Sequence, residues 1–375
     1  MKAAIFTFCN FRLINYGQVL QCYAFQELCR RQGLEVKVIR YRQLQNNESL
    51  ELIPPKSGER ALYERRFKDK NVEPQDREQV YKFNQFMENY IVTTPVNYTV
   101  EEVQEEIKDC QLLIVGSDQL WNPAWFHRIY LLEFAREDQK CISYATGGIS
   151  CVTEDNKATI ELIAKQIDHF KRVSVREHRS ADILKQYTGK HITEALDPTL
   201  MFDASFWNDI CDNKKYDDGY VLCFFIGLIQ PHKHLAKEAA KRLGKKRVIY
   251  IKFSRSGEQL ADNDSFTAAT GIGPRELLTL IKNASAICTD SFHGVAFSII
   301  FHKEFYLMDR AYVFTEGTDD LRMKSVMDKV GIGCRTVNSK KDYDSVEAID
   351  YCSVDKKLQS LRDDSLDYLR NAISM

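Results

Sequence analysis

The chain has 375 residues, 44% hydrophobic and 28% charged, with 52 Lys plus Arg against 53 Asp plus Glu. That length exceeds what one hydrophobic core usually supports, so two domains are expected. The balanced charge excludes a global field for nucleic acid or an anionic membrane, so any anion site must be local.

In chain order, "MKAAIFTFCNFR" has one lysine and a short apolar run ending at Arg12, too brief for a secretory leader and better read as a first strand. "YGQVLQCYAFQELCRRQG" places Leu20, Tyr23, Ala24 and Leu28 on one helical face, and "EVKVIRY" is the next strand. Residues 56–90, with "ERRFKDKNVEPQDREQ", read as a charged, solvated helical insertion. "LLIVGS" (112–117), "CISYATGG" (141–148) and "RVSVRE" (172–177) are apolar strands separated by helical stretches, the pattern of a parallel βαβ sheet.

A second series begins near residue 218 with "YVLCFFIG" and continues through "HLAKEAAKRLG", "RVIYIKF", "PRELLTLIKNA", "AICTDSFHG" and "EFYLMD". The expected organisation is an N-terminal Rossmann-like domain over 1–205, a C-terminal one over 215–340, and a helical segment over 341–375. In that segment Leu358, Leu361, Leu366 and Leu369 form a face that can pack back across the domains. Eleven cysteines, odd in number, scattered and never spaced C-x-x-C, suggest reduced thiols and a cytoplasmic protein. No run of 18 apolar residues occurs, so no integral membrane segment is expected.

In open α/β sheets, ligands lie beyond the carboxyl ends of the strands, where loops gather side chains and helix N-termini present amides. The first such loop offers Asn15, which can cap the helix, and Gly17, which permits close backbone approach; a plain cap and turn is an equal reading. The second offers Ser117, Asp118 and Gln119, with Trp121 either stacking on a sugar or packing in the core. The third carries Arg176 and Glu177, an interdomain salt bridge or an anion clamp. Lys252 and Arg255 follow another strand.

The fourth loop is "TDSFHGVAFSII". His293 precedes Gly294 at a helix start, where it is either a packed core histidine or a group that holds an anion or delivers a proton. Asp290 can orient its ring or cap the helix. "GIGPRE" resembles a dinucleotide fingerprint but lacks the third glycine, so Pro274 reads as a helix-start proline. "PHKH", with His232 and His234, falls short of a metal site.

"NYGQVLQCYAFQ", "VGSDQLWNP", "ISYATGG", "VSVRE", "LDPTLMF" and "TDSFHGVAFSIIF", in that order, resemble the polysaccharide pyruvyl transferase family over most of residues 3–310. The resemblance implies a GT-B-like fold of two Rossmann-type domains with a cleft between them. It also implies transfer of a pyruvyl group from phosphoenolpyruvate to sugar hydroxyls, commonly as a ketal, with phosphate released. The family histidine carries over to His293. Its arginine, in a pattern like S-R-x-H-G, does not carry over, because Ser291 stands at that position.

Arg176, Lys252 and Arg255 are therefore the expected donor cations, with Ser291 and Gly294 completing the donor site. The reaction needs a positioned acid, a base, and cations on the phosphate, and no step requires a metal or cofactor. His293 is the expected acid and Asp118 or Glu177 the base, while Asn15, Gly17, Ser117, Gln119 and Trp121 are expected to serve the acceptor. The acceptor is a sugar, lipid-linked or nucleotide-linked, within exopolysaccharide or capsule synthesis. A nucleotide-sugar glycosyltransferase and a catalytically idle carbohydrate-binding protein remain alternatives.

Overall fold

A computed structural model describes residues 1–9, 14–42, 44–46, 49–53, 76–213, 216, 219–251, 265–310 and 320–374. The chain divides into two compact units. One is Met1–Val72, Met87–Met201 and Leu361–Met375; the other is Glu73–Phe86 and Phe202–Ser360.

In the first unit, β1 (Lys2–Phe6) leads through α1 (Tyr16–Arg31) to β2 (Glu35–Tyr41). A short antiparallel pair, β3 (Leu44–Gln45) and β4 (Leu52–Ile53), precedes helix α2 (Arg77–Tyr90), which the division between units crosses. Then come β5 (Thr93–Asn97), α3 (Val100–Glu106), β6 (Leu112–Val115) and β7 (Lys140–Ser143). The strands are parallel in the order β5-β2-β1-β6-β7, with Ala3 opposite Leu112 and Phe6 opposite Val115.

Helix α4 (Glu154–Gln166), β8 (Val173–Val175), α5 (His178–Tyr187) and β9 (Ile192–Glu194) follow, and parallel bridges Ile142↔Arg172 and Thr146↔Val175 carry the sheet on to β8 and β9. The chain thus walks out from β1 to β5 and returns to the other side of β1. The switch point lies between β1 and β6. Every residue of β6 is buried, as expected of a parallel strand covered on both faces.

The second unit repeats the pattern. Helix α6 (Ala204–Asn208), β10 (Tyr220–Phe224), α7 (Lys233–Arg242), β11 (Arg247–Ile251) and β12 (Phe266–Ala269) come first. Next are α8 (Pro274–Asn283), β13 (Ala286–Thr289), α9 (Phe292–Ile300), β14 (Glu304–Leu307) and α10 (Asp320–Val330). The parallel order β12-β11-β10-β13-β14 puts this switch point between β10 and β13, where Phe224 pairs with Thr289. Pro274 opens α8, and the Glu276 carboxylate returns to accept from the Gly273 N–H at 3.1 Å.

The last helix, α11 (Tyr351–Ser374), begins in the second unit and ends in the first. In the first unit its Tyr368 hydroxyl donates to the Ser143 carbonyl at 2.7 Å, and Ser365 accepts from the Leu196 N–H at 2.9 Å. Leu358 and Leu369 are buried, whereas Leu361 and Leu366 are half-buried. No helix among the described residues is long and apolar enough to cross a membrane.

Candidate functional site

The first unit gathers charge at its strand ends. Gly116 follows β6 with φ +137, and a Cβ there would stand 1.9 Å from the Tyr144 carbonyl oxygen, so only glycine lets the loop pass. Next in the chain, Ser117 is fully buried and donates to the Ala145 carbonyl at 2.9 Å. Thr7, just past β1, donates to the Ser117 carbonyl at 3.2 Å and accepts from Gln21 of α1 at 2.9 Å, which ties both sides of the switch point together. Asn15 caps α1 by accepting from the Gln18 N–H at 3.2 Å, and Gly17 is buried in the first turn.

Arg176 is the hub of this end. Its Nε donates to Glu177 Oε1 at 2.9 Å and one terminal nitrogen to Asp197 Oδ2 at 2.8 Å, while the other stands 3.7 Å from Asp118 Oδ1. Burial alone would push the guanidinium down, but Glu177, Asp197 and Asp118 hold it above its ordinary value. Three carboxylates around one cation make the cluster acidic. An anion approaching Arg176 must therefore compete with Asp118, whose contact is the loosest of the three.

In the second unit, the Asp290 carboxylate reaches across the switch point and accepts from the N–H groups of Ile226 at 2.6 Å and Gly227 at 2.8 Å. It therefore pins the loop after β10; the N-cap of α9 is Ser291. Thr289 donates to the Phe224 carbonyl at 2.6 Å and accepts from the Ser291 N–H at 3.0 Å, a second link between the same strands. Helix α9 starts at Phe292, ahead of Gly294, so His293 stands in its first turn, 8% exposed, with its ring edge-on to Phe292. A Cβ on Gly294 would meet Thr289 Oγ1 at 2.2 Å, so this glycine serves close helix–strand packing.

Arg310, just past β14, donates to the Asp290 carbonyl at 2.6 Å, and its Nε lies 3.4 Å from Asp290 Oδ2. Sequence reading passed over it, although the strand-end rule that selected Arg176 also reaches the "LMDR" turn. Asp197, in "LDP" beyond β9, was missed in the same way.

The structure thus brings Ser117, Asp118, Arg176 and Glu177 together in one unit, and Ser291, His293 and Gly294 in the other. Lys252 and Arg255 lie outside the described residues. Two acceptor expectations are corrected. Trp121 is fully buried with its ring edge-on to Phe170, so it has no face for a sugar, and Ser117 spends its hydroxyl inside the protein. Gln119 is half-buried, with its side-chain oxygen accepting from Asn122 at 2.8 Å. A hollow of about 780 Å³ bordered by Gln139, His169 and Lys190 lies by the amino end of β7, away from the switch point. Among the described residues no group of three or more His, Cys, Asp or Glu side chains is placed to hold a metal ion.

A family model described as polysaccharide pyruvyl transferase matches residues 15–312. Among solved structures, a putative UDP-N-acetylglucosamine 2-epimerase from Listeria monocytogenes is similar at 10% identity and a TM-score of 0.52, over 99% of this chain and 90% of that one. UGT89C1 of Arabidopsis thaliana complexed with quercetin is similar at 9% identity and a TM-score of 0.51, over 100% of this chain and 99% of that one. At such identities the likeness shows the fold alone, which is of the GT-B class. No curated protein matches the chain.

Proposed function

The chain belongs to the polysaccharide pyruvyl transferase family, and from that premise we propose that it moves a pyruvyl group from phosphoenolpyruvate to sugar hydroxyls, forming a ketal and releasing phosphate. The observation that carries this reading is His293, held in the first turn of α9 at the second unit's switch point, three residues after the Asp290 that Arg310 engages. First-turn amides favour an anion there, and an imidazolium can deliver a proton to the donor's methylene carbon. Arg310 supplies positive charge near the position where the family pattern has an arginine and this chain has Ser291.

In the first unit, Arg176 and Asp118 stand 3.7 Å apart, a cation suited to an anionic group and a carboxylate suited to a hydroxyl. Glu177 is committed to orienting Arg176. The eleven free thiols suit a reducing cytoplasm, where phosphoenolpyruvate is available to a lipid-linked or nucleotide-linked acceptor.

Incubation with phosphoenolpyruvate and candidate acceptors tests the reading. An acceptor mass gain equal to pyruvate minus water, with one phosphate released per ketal, is expected. Consumption of a nucleotide sugar with phosphoenolpyruvate untouched would instead assign the chain to glycosyl transfer.

A further inference from the structure

The second unit places another histidine at the same end of its sheet. His232 closes the single turn Gln230–His232 on the way from β10 to α7. The start of this connection is the segment that Asp290 pins through the Ile226 and Gly227 N–H groups. The His232 ring lies flat on Phe225, with centroids 5.3 Å apart and planes within 9°, and the residue is only 8% exposed. Its Nε2 is buried and has no hydrogen-bond partner among the described residues.

The backbone of Asp309 lies on the other side of the ring and favours a proton there. A carbonyl oxygen can only accept, so the nitrogen facing it carries the proton; with Nε2 unbonded, that nitrogen is Nδ1, and Nε2 keeps its lone pair. A buried acceptor left without a donor costs free energy, and such atoms concentrate where a ligand or chemistry supplies what is missing. Burial lowers the ring's proton affinity, Asp290 and Asp309 raise it in part, and His234 lowers it further, so the net shift favours the neutral ring.

We propose that Nε2 of His232 is the general base that takes the proton of the attacking sugar hydroxyl, partnering His293 as the acid. This rests on the pyruvyl-transfer reading above. In the first step the hydroxyl oxygen bonds to C2 of the enolpyruvyl group and its proton passes to Nε2. The electron pair of the carbon–carbon double bond takes the proton of His293 at the methylene carbon. Phosphate then leaves with the electrons of its bond to C2 and collects the proton from His232. The second hydroxyl attacks the same carbon and returns its proton to His293, so both histidines end as they began. Glu177 suits the base role less, because it is engaged by Arg176, and His232 shares a unit with His293.

His232→Asn is the discriminating variant, because its amide N–H can replace Nδ1–H on the Asp309 carbonyl while nothing replaces Nε2. Turnover should fall on the order of a hundredfold or more with phosphoenolpyruvate affinity kept, and the acidic limb of the kcat–pH profile should vanish. If the variant does not fold, nitrogen-15 histidine NMR of the wild type decides. His232 should be neutral and protonated on Nδ1 at pH 7, and it should titrate where kcat falls. A proton on Nε2 overturns the assignment, as does a folded His232→Asn protein that turns over normally with its acidic limb intact. Wild-type protein that releases no phosphate from phosphoenolpyruvate with any acceptor overturns the transfer reading itself, and this step with it.

Discussion

Arg176 carries one positive charge among three carboxylates, and that imbalance decides what its removal does. In Arg176→Ala, Glu177, Asp197 and Asp118 lose their shared cation in a buried site, a change that typically costs about 3–5 kcal/mol. Urea denaturation should show that loss even without substrate, and an unchanged midpoint would mean that the cluster contributes no stability. His293→Gln should behave oppositely. Glutamine keeps polar reach but cannot act as an acid, so turnover should drop on the order of a hundredfold with the melting temperature nearly kept. A stable His293→Gln enzyme with near-normal turnover would remove the acid role. Asn15 was legible as a cap because its partner is three residues away. Arg310 was harder to see because its partner is twenty residues back, and only the pairing of β13 with β14 brings the two strand ends together. Trp121 misled because a tryptophan after a strand reads the same whether it packs inward or outward.

Helix α9 begins earlier than its apolar run suggests, because Phe292 and His293 already have helical neighbours and Gly294 is a packing glycine inside the helix. A glycine in sequence signals a break or a close approach with equal force, and only the Thr289 contact distinguishes them. The β10 loop shows the same dependence on a distant element. Nothing in "FIGLIQPH" indicates that Asp290 holds it, yet two charge-assisted bonds from Ile226 and Gly227 end on that carboxylate. Asp290→Ala should therefore release the loop, costing about 1.5–3 kcal/mol for each bond to the charged group. Hydrogen exchange should localise the loss, with the amides of Ile226 and Gly227 gaining exchange well ahead of those in β11. Unchanged protection of those two amides would mean that the loop is held by other contacts.

At the scale of the whole chain, alternating strands and helices made two parallel sheets legible, since apolar runs of strand length separated by amphipathic helices have few other solutions. The leucine face of the last helix was legible as well, but the groups beneath it were not, because an amphipathic face records that something is covered without recording what. Burial at this scale also predicts how stability follows pH. The His169 and His232 rings are both held below their ordinary values chiefly by burial, with Glu133 acting the other way on the first and Asp290 and Asp309 on the second. Near pH 6 these two rings then bind more protons in the unfolded chain than in the folded one, so their contribution to stability rises with pH through this range. The contribution of these rings is complete above the unfolded value of about 6.5 and is lost as pH falls from there through the folded values. Urea midpoints measured between pH 7.5 and 5.5, above the ordinary range of carboxylate titration, should decline toward acid. His169→Gln combined with His232→Asn should flatten that decline. A midpoint that stays level in the wild type, or an equally steep slope in the double variant, would show that neither ring is kept neutral by the fold.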